Sequence, residues 1–129
     1  MSVAIGDRAE RVVVVSDGQL EQFALATGDR NPIHFDDAYA AKTRFGERIA
    51  HGMLVGGLIS ALLASELPGP GTIYLGQELR FLAPVRPGDQ VRCEVEVTEL
   101  DGRRITLATR AWVGETLVVD GTARVLAVE

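Results

Sequence analysis

Two side chains able to exchange protons stand close together in the segment Thr27–Asp36, which reads TGDRNPIHFD. Asp29 and His34 are five residues apart, and Pro32 between them biases the preceding residue toward an extended conformation. Such a bend lets the chain double back and direct a carboxylate and an imidazole at one point, where they can hold a water molecule and move its protons. The alternative is structural: Asp29 caps the loop, and His34 is an ordinary core or surface histidine.

A long apolar stretch supplies the second chemical feature and organises the rest of the chain. Residues 51–65 contain no Asp, Glu, Lys or Arg, and the run is too long for most strands, so it predicts a helix from about Gly52 to Leu67. The helix is apolar on every side and shorter than the roughly twenty residues that a bilayer requires, so we expect a buried core helix. Its first turn leaves backbone N–H groups without intrahelical partners, close in sequence to the acid–base pair.

The chain before this helix predicts a strand and then a shorter helix. Arg11–Val15 is rich in β-branched residues and predicts the first strand. Ser16 and Gln19 have the spacing of a capping box, which predicts an amphipathic helix over Asp17–Ala26 with Gly28 as its C-cap residue.

The connector between the two helices is expected to contain little regular structure. Because proline cannot continue a helix, residues 29–34 predict a loop with a fixed bend at Pro32. Asp36 can cap a further turn or two that reaches Lys42, after which the chain leads into the core helix.

Beyond the core helix the hydrophobic period changes from helical to two, which predicts a sheet. A Pro-Gly-Pro-Gly stop ends the helix, and the strands begin at Ile73. Alternation is clearest over residues 91–98, where Val and Cys on one face alternate with Arg, Glu and Thr on the other, as in a sheet with one wet face. Turns at 101–102 and 114–115 predict hairpins, and the last strand should run over Leu117–Val128. These five strands, in an order that the pattern leaves open, predict an α+β fold with one antiparallel sheet wrapped around the apolar helix.

Composition indicates a single domain over residues 1–129 and argues against several classes of function. The formal net charge of −5 disfavours nucleic-acid binding. Two histidines and the single Cys93 cannot form a usual His/Cys zinc site or an internal disulfide, which favours a reducing cytoplasm. The N-terminus lacks the basic start of a signal peptide and carries charges in its apolar stretch, so no membrane anchor is expected. The mean hydropathy of +0.13 is slightly high and suggests a buried subunit interface.

Three segments of the chain form a distinctive combination: the loop TGDRNPIHFDDAYA, then FGERIAHGML and later LRFLAPVRPGD. With its D-x-N-P-x-H and A-H-G-M motifs, the chain resembles the MaoC-like (R)-specific enoyl-CoA hydratases over nearly its whole length. The resemblance implies a hot-dog fold and a homodimer that joins two sheets edge to edge. It also implies an acyl-CoA thioester substrate bound near the subunit boundary, and a cofactor-free hydration of trans-2-enoyl-CoA to (R)-3-hydroxyacyl-CoA.

Transferred position by position, the resemblance implies a catalytic pair at Asp29 and His34, an oxyanion-hole amide at Gly52 and a supporting hydroxyl at Ser60. Addition of water to carbon 3 of an enoyl thioester places negative charge on the thioester oxygen, and that enolate needs donors fixed in place. We favour Asp29 as the base toward water and His34 as the proton donor or water-orienting partner. Protonation in so close a pair belongs to the pair, so the reverse assignment stays open.

Other polar residues receive smaller roles in this interpretation. Asn31 is expected to fix the loop through side-chain to backbone hydrogen bonds rather than to touch substrate. His51 is expected to be a structural partner of the loop rather than a second acid. Ser60 either bonds back to the carbonyl of Gly56 or faces the site. Four cations of the connector either meet the phosphates of coenzyme A or are merely solvated: Arg30, Lys42, Arg44 and Arg48.

Other functions use the same fold. A dehydratase acting on carrier-protein thioesters, or on specialised CoA substrates, would need the same residues as the hydratase. A thioesterase would need a carboxylate placed against the carbonyl, and the core helix offers none before Glu66. A non-catalytic acyl-thioester binding or scaffolding domain is disfavoured because Asp29 and His34 are both present.

Overall fold

The computed structural model describes residues 2–127. Over these residues the fold consists of one antiparallel sheet and four helices, all of which precede the second strand in the chain. In chain order the elements are β1 (Arg8–Val14), α1 (Asp17–Thr27), α2 (Pro32–Phe35), α3 (Asp37–Ala41), α4 (Gly52–Ser65), β2 (Ile73–Phe81), β3 (Gln90–Asp101), β4 (Arg104–Val113) and β5 (Thr116–Leu126). The five strands lie in the order β1-β3-β4-β5-β2, and every neighbouring pair is antiparallel. The α+β architecture and its short hairpins are therefore as predicted.

The predicted core helix is α4, and it begins at Gly52 as expected. It ends at Ser65, two residues before the predicted Leu67. One side of α4 packs on the sheet through fully buried residues such as Ile59 and Leu62. The opposite side is open in the single chain. Met53 is 57% exposed there, and Gly57, one turn later, is also exposed.

The N-terminal strand is longer than its apolar residues indicate. It was predicted from Arg11 to Val15, whereas β1 begins at Arg8 and ends at Val14. Two of the three added residues, Arg8 and Glu10, are charged, and the strand continues through them because Arg8 lies opposite Glu96 of β3, with the two side chains 3.6 Å apart. A partner strand about eighty residues away, rather than local propensity, sets this boundary.

The capping box predicted for α1 is present. Gln19 donates its backbone N–H to the Ser16 hydroxyl at 3.2 Å, and Ser16 donates its own N–H to the Gln19 side chain at 3.1 Å. The helix ends at Thr27, one residue later than predicted, and Gly28 follows with φ +81°. That left-handed conformation favours glycine, and it turns the chain into the connector.

The connector is more helical than predicted, and the expectation of a loop over 29–34 was wrong for its second half. Pro32 begins the short helix α2, because a proline at the first helical position loses no intrahelical hydrogen bond. Asn31 caps α2 by accepting the backbone N–H of Ile33 at 3.2 Å. Asp36 caps the next turn, α3, by accepting the N–H of Tyr39 at 3.0 Å, as predicted.

The sheet packs one face on α4, and among the described residues its two edge strands are β1 and β2. The inward face of β3 is fully buried at Val91, Cys93, Val95 and Val97, as its alternation predicted. At the edge, β2 pairs only with β5 among the described residues. Large apolar side chains on or beside this strand are 40–53% exposed: Ile73, Tyr74, Leu75, Phe81 and Leu82.

The last strand was predicted to reach Val128, but β5 ends at Leu126, and Val128 lies outside the described residues. Among residues 2–127, none of the helices combines the length and hydropathy needed to cross a bilayer.

Candidate active site

Asp29 and His34 are brought to the same cavity by the turn at Gly28 and the short helix α2. The cavity has a volume of about 470 Å³, and both residues line it together with Gly52. Asp29 is exposed, and its carboxylate accepts the backbone N–H of Asn31 at 3.2 Å, which fixes the loop ahead of α2. His34 is only 7% exposed. The structure therefore unites the acid–base pair that the sequence singled out.

A hydrogen bond to the main chain sets the tautomer of His34. Its Nδ1 lies 2.7 Å from the carbonyl oxygen of Ile49, and a carbonyl can only accept, so Nδ1 carries the proton. In the neutral ring the other nitrogen, Nε2, is then an acceptor. Ile49 also donates its own N–H to the carbonyl of Ile33 at 3.3 Å, so α2 is fastened to the segment that precedes α4.

The surroundings of His34 favour its neutral form. Burial is the main cause that lowers its pKa below the ordinary value of 6.5, and nearby His51 lowers the pKa further. The Ile49 carbonyl and the Asp29 carboxylate act in the opposite direction, with smaller effects than burial. At neutral pH the ring therefore offers Nε2 as a proton acceptor.

Gly52 brings the free end of α4 to the cavity. It is the first residue of the helix, and its N–H has no hydrogen-bond partner within residues 2–127. A Cβ added at this position would lie 2.8 Å from the ring of Phe81, so the space beside the backbone is already filled. Glycine therefore has a steric reason here in addition to any oxyanion role.

Asn31 and Ser60 lie outside the cavity. Asn31 caps α2 and fixes the loop, which is the role expected for it. Ser60 stands two turns along α4 from Gly52, and the lining of the cavity on that helix stops at Val55. Its hydroxyl forms no hydrogen bond among the described residues, so the alternative of a bond back to the carbonyl of Gly56 is not present there. In the single chain, Ser60 is thus not grouped with the pair.

His51 contacts the loop, as expected for a structural partner of it, and also stacks on His34. It is 2% exposed, and its ring stacks on that of His34 with the centroids 3.8 Å apart. Its Nε2 lies 3.1 Å from the backbone carbonyl of Asp29 and must donate to it. Its Nδ1 is buried and has no partner within residues 2–127, which costs about 1–3 kcal/mol for a typical buried polar group. The A-H-G-M motif was the only sequence signal for this contact.

The three polar side chains of the site resemble a metal-ligand set in number but not in orientation. Asp29, His34 and His51 each place one ligand-type atom within 4.8 Å of the others. The two rings, however, are stacked at an angle of 31°, and ring lone pairs lie in the ring plane. They therefore point side by side rather than at one ion, and one nitrogen of each ring already binds a carbonyl. The cluster suits proton transfer better than metal binding.

Of the four connector cations, only Arg44 lines the cavity. Its guanidinium lies 4.7 Å from the ring centroid of Phe45, and it has no acidic partner in the described part of the chain. Arg30 is paired with Glu21, and Arg48 binds two aspartates at 2.7 and 2.8 Å. Arg44 is thus the cation available to an anionic ligand at this site.

Known proteins of similar sequence and structure match this chain over most of its length. The family model described as the MaoC-like domain matches residues 4–119. A 3-hydroxybutyryl-CoA dehydratase from Methylorubrum extorquens is 52% identical over 113 residues, which are 86% of this chain and 72% of that protein. The solved structure of R-hydratase PhaJ1 from Pseudomonas aeruginosa has a TM-score of 0.91 and 52% identity, covering 97% of this chain and 82% of that one. The (R)-hydratase from A. caviae has a TM-score of 0.93 and 44% identity, covering 97% of both chains. The sequence resemblance is confirmed: the chain belongs to the MaoC-like domain family.

Proposed function

We propose that this protein is an (R)-specific enoyl-CoA hydratase, which reversibly adds water to trans-2-enoyl-CoA and yields (R)-3-hydroxyacyl-CoA. The observation that carries the proposal is one cavity lined by Asp29, His34 and Gly52 together. An acid–base pair and a free backbone donor on the same cavity are what hydration of an enoyl thioester requires. The similar proteins described above are named for this reaction or for its reverse.

The backbone of Gly52 is proposed to stabilise the developing enolate. When water attacks carbon 3, the electron pair of the C2=C3 bond moves toward the thioester and leaves negative charge on its carbonyl oxygen. The unpartnered N–H of Gly52 can donate to that oxygen, and the dipole of α4 adds partial positive charge at the same point. This interaction is strongest in the transition state, which is the condition for catalysis.

The tautomer of His34 supports different roles for the two members of the pair, with His34 as the base and Asp29 as the residue that orients the water. Its Nε2 is free to accept a proton from the attacking water, while the Asp29 carboxylate orients the water and offsets the charge of the imidazolium that forms. The imidazolium then returns the proton to carbon 2 as the enolate collapses, and the ring is neutral again. This reverses the assignment favoured from the sequence, in which Asp29 was the base. Both the oxygen and the hydrogen arrive from one side, so the addition is syn.

A short acyl group on coenzyme A is the proposed substrate. The similar protein from M. extorquens is named for a 3-hydroxybutyryl-CoA substrate. Arg44 lines the cavity and has no acidic partner among residues 2–127, so it supplies a cation for a phosphate of the coenzyme. Carrier-protein thioesters are the competing substrates, since the same pair would process them. Rates on crotonyl-CoA and on crotonyl carrier protein separate the two.

A homodimer is the proposed assembly. The free edge of β2 carries exposed apolar side chains, and an unprotected strand edge of this kind favours pairing with another strand. Pairing of two β2 strands about a two-fold axis would continue the sheet across both subunits. Light scattering at micromolar concentration should give about twice the chain mass of 13.9 kDa. A fully active monomer would contradict the assembly but not the reaction.

We further propose that residues 1–129 act as one domain in the cytoplasm without a metal or other cofactor. A thiol mechanism is disfavoured, because Cys93 lies on the buried face of β3 and burial raises its pKa to about 11. The lone cysteine also suits a reducing compartment.

Hydration of crotonyl-CoA by purified protein, with chelator present, tests the proposed function. We expect loss of the conjugated enoyl absorbance and formation of the R alcohol. An S product, or release of free thiol, contradicts the proposal. Free thiol would instead indicate a thioesterase.

A further inference from the structure

One buried histidine touches both members of the proposed catalytic pair. The ring of His51 stacks on the ring of His34 with 3.8 Å between centroids. Its Nε2–H donates to the backbone carbonyl of Asp29 at 3.1 Å. His51 also directly precedes Gly52 and occupies the N-cap position of α4. A single residue is therefore joined to all three groups that the hydration is proposed to use.

Packing alone does not account for a histidine at this position. The other rings around His51 are those of Phe23 at 4.7 Å and Phe35 at 5.7 Å, so its surroundings are largely aromatic. A phenylalanine would suit these neighbours and would not bury the unpartnered Nδ1. What phenylalanine lacks is the Nε2–H donor to the loop. The histidine thus combines an aromatic face for His34 with a donor for Asp29.

We propose that His51 is a positioning residue that fixes Asp29 and His34 relative to each other and to the N-terminus of α4. Its ring determines where His34 can lie, and its hydrogen bond determines where the loop places Asp29. This inference rests on the proposed hydratase function and specifies how the site is held. Because small displacements of reacting groups can cost about a hundredfold in rate, loss of either contact should lower turnover.

The two contacts can be removed separately. His51→Phe keeps an aromatic ring against His34 but lacks the donor to Asp29. His51→Gln keeps a donor near the position of Nε2 but lacks the ring. Phe23→Leu is the matched control, because it reduces packing on His51 without changing either contact to the pair, and Phe23 does not line the cavity.

Imidazole ¹⁵N NMR of untagged protein gives a readout independent of activity. The chain has only two histidines, so in each His51 variant the only imidazole signals in the spectrum are those of His34. The charged or titratable groups beside His34 are Asp29, His51 and Arg48, which donates to its backbone carbonyl at 3.3 Å. Since burial is the main cause that lowers the pKa of His34, loss of the stacked ring in His51→Gln should raise that pKa.

The expected result is a fall in kcat of about ten- to a hundredfold for both His51 variants, with KM nearly unchanged. In wild type, His34 should be the Nδ1–H tautomer; its signals should shift in both variants and stay unchanged in Phe23→Leu. If both His51 variants keep kcat within about twofold, the positioning role is wrong even if the His34 signals shift. It is also wrong if Phe23→Leu loses as much activity as they do, because general packing would then explain the loss. A wild-type protein without hydratase activity overturns the proposed function instead, while the His34 signals still report on positioning.

Discussion

The connector that carries the site and the sheet that supports it are held by different interactions. Residues 28–52 depend on individual polar contacts, such as the hydrogen bond from His34 to the carbonyl of Ile49. The sheet depends on close-packed apolar side chains, among them the fully buried Val95 and Leu107. Single hydrogen bonds fix direction, whereas apolar packing supplies most of the stability. Changes in the connector should therefore alter turnover more than stability, and changes in the sheet should do the reverse.

The largest loss of turnover is expected at Gly52, where α4 meets the connector. Gly52→Pro removes the N–H while remaining compatible with the first helical turn, and His51 already has the extended ψ of 131° that a following proline prefers. Turnover on crotonyl-CoA should fall about a hundred- to a thousandfold, the usual cost of one oxyanion donor.

Gly52→Ala is the control for crowding. Both variants add a Cβ at the position 2.8 Å from the ring of Phe81, but only alanine keeps the N–H. Equal losses in the two variants would mean that crowding explains the effect. A proline variant with near wild-type turnover would rule out an oxyanion role for Gly52.

The acid–base pair should give the next largest effect. Asp29→Asn and His34→Gln should each reduce kcat by at least about a hundredfold. Melting temperature should hardly change for Asp29→Asn, because the exposed amide oxygen can still accept from Asn31. His34→Gln should lose about 1 kcal/mol or more of unfolding free energy, since the Ile49 carbonyl loses its donor. If either variant keeps normal turnover at a temperature where it is folded, that residue is structural.

A smaller effect, on substrate binding rather than on turnover, is expected at Arg44. Arg44→Ala should raise KM for crotonyl-CoA by about tenfold and leave kcat unchanged, the pattern for loss of one charge-assisted contact. Arg30→Ala is the matched control, because Arg30 already pairs with Glu21 and does not line the cavity. Equal KM values for the two variants would exclude Arg44 as the phosphate contact.

The smallest effect on turnover is expected in the sheet. Leu107 on β4 is completely buried, so Leu107→Ala should lower the unfolding free energy by about 2–5 kcal/mol in urea titrations. At a temperature where the variant is folded, kcat should stay within about twofold of wild type. A hundredfold loss of kcat in the folded variant would show that site and sheet are not separable in this way.

Features decided by neighbouring residues were predictable from the sequence. The start of α4 at Gly52 and the capping box of α1 are both local patterns, and both are present. The alternation of β3 likewise identified its buried face. Asp29 and His34 could be paired because only a short bend separates them. The start of α2 was missed because Pro32 was interpreted only as a residue that cannot continue a helix, although it can begin one.

Features decided by distant contacts were not predictable. β1 extends to Arg8 because Glu96 lies opposite it on another strand. The stacking of His51 on His34 joins residues 17 positions apart, and the ring of His34 is also hydrogen-bonded to the carbonyl of Ile49. The tautomer of His34 follows from the same bond, so the base of the pair could not be chosen from residue types alone.

The most direct test of the central claim is hydration of crotonyl-CoA in D₂O, followed by proton NMR of the product. If Asp29 and His34 deliver both parts of one water from the same face, the product is the R alcohol with a single deuterium on carbon 2, placed syn to the hydroxyl. The coupling between the protons on carbons 2 and 3 reports that geometry. Deuterium in the anti position, or distributed over both positions at early times, would contradict a shared acid–base pair.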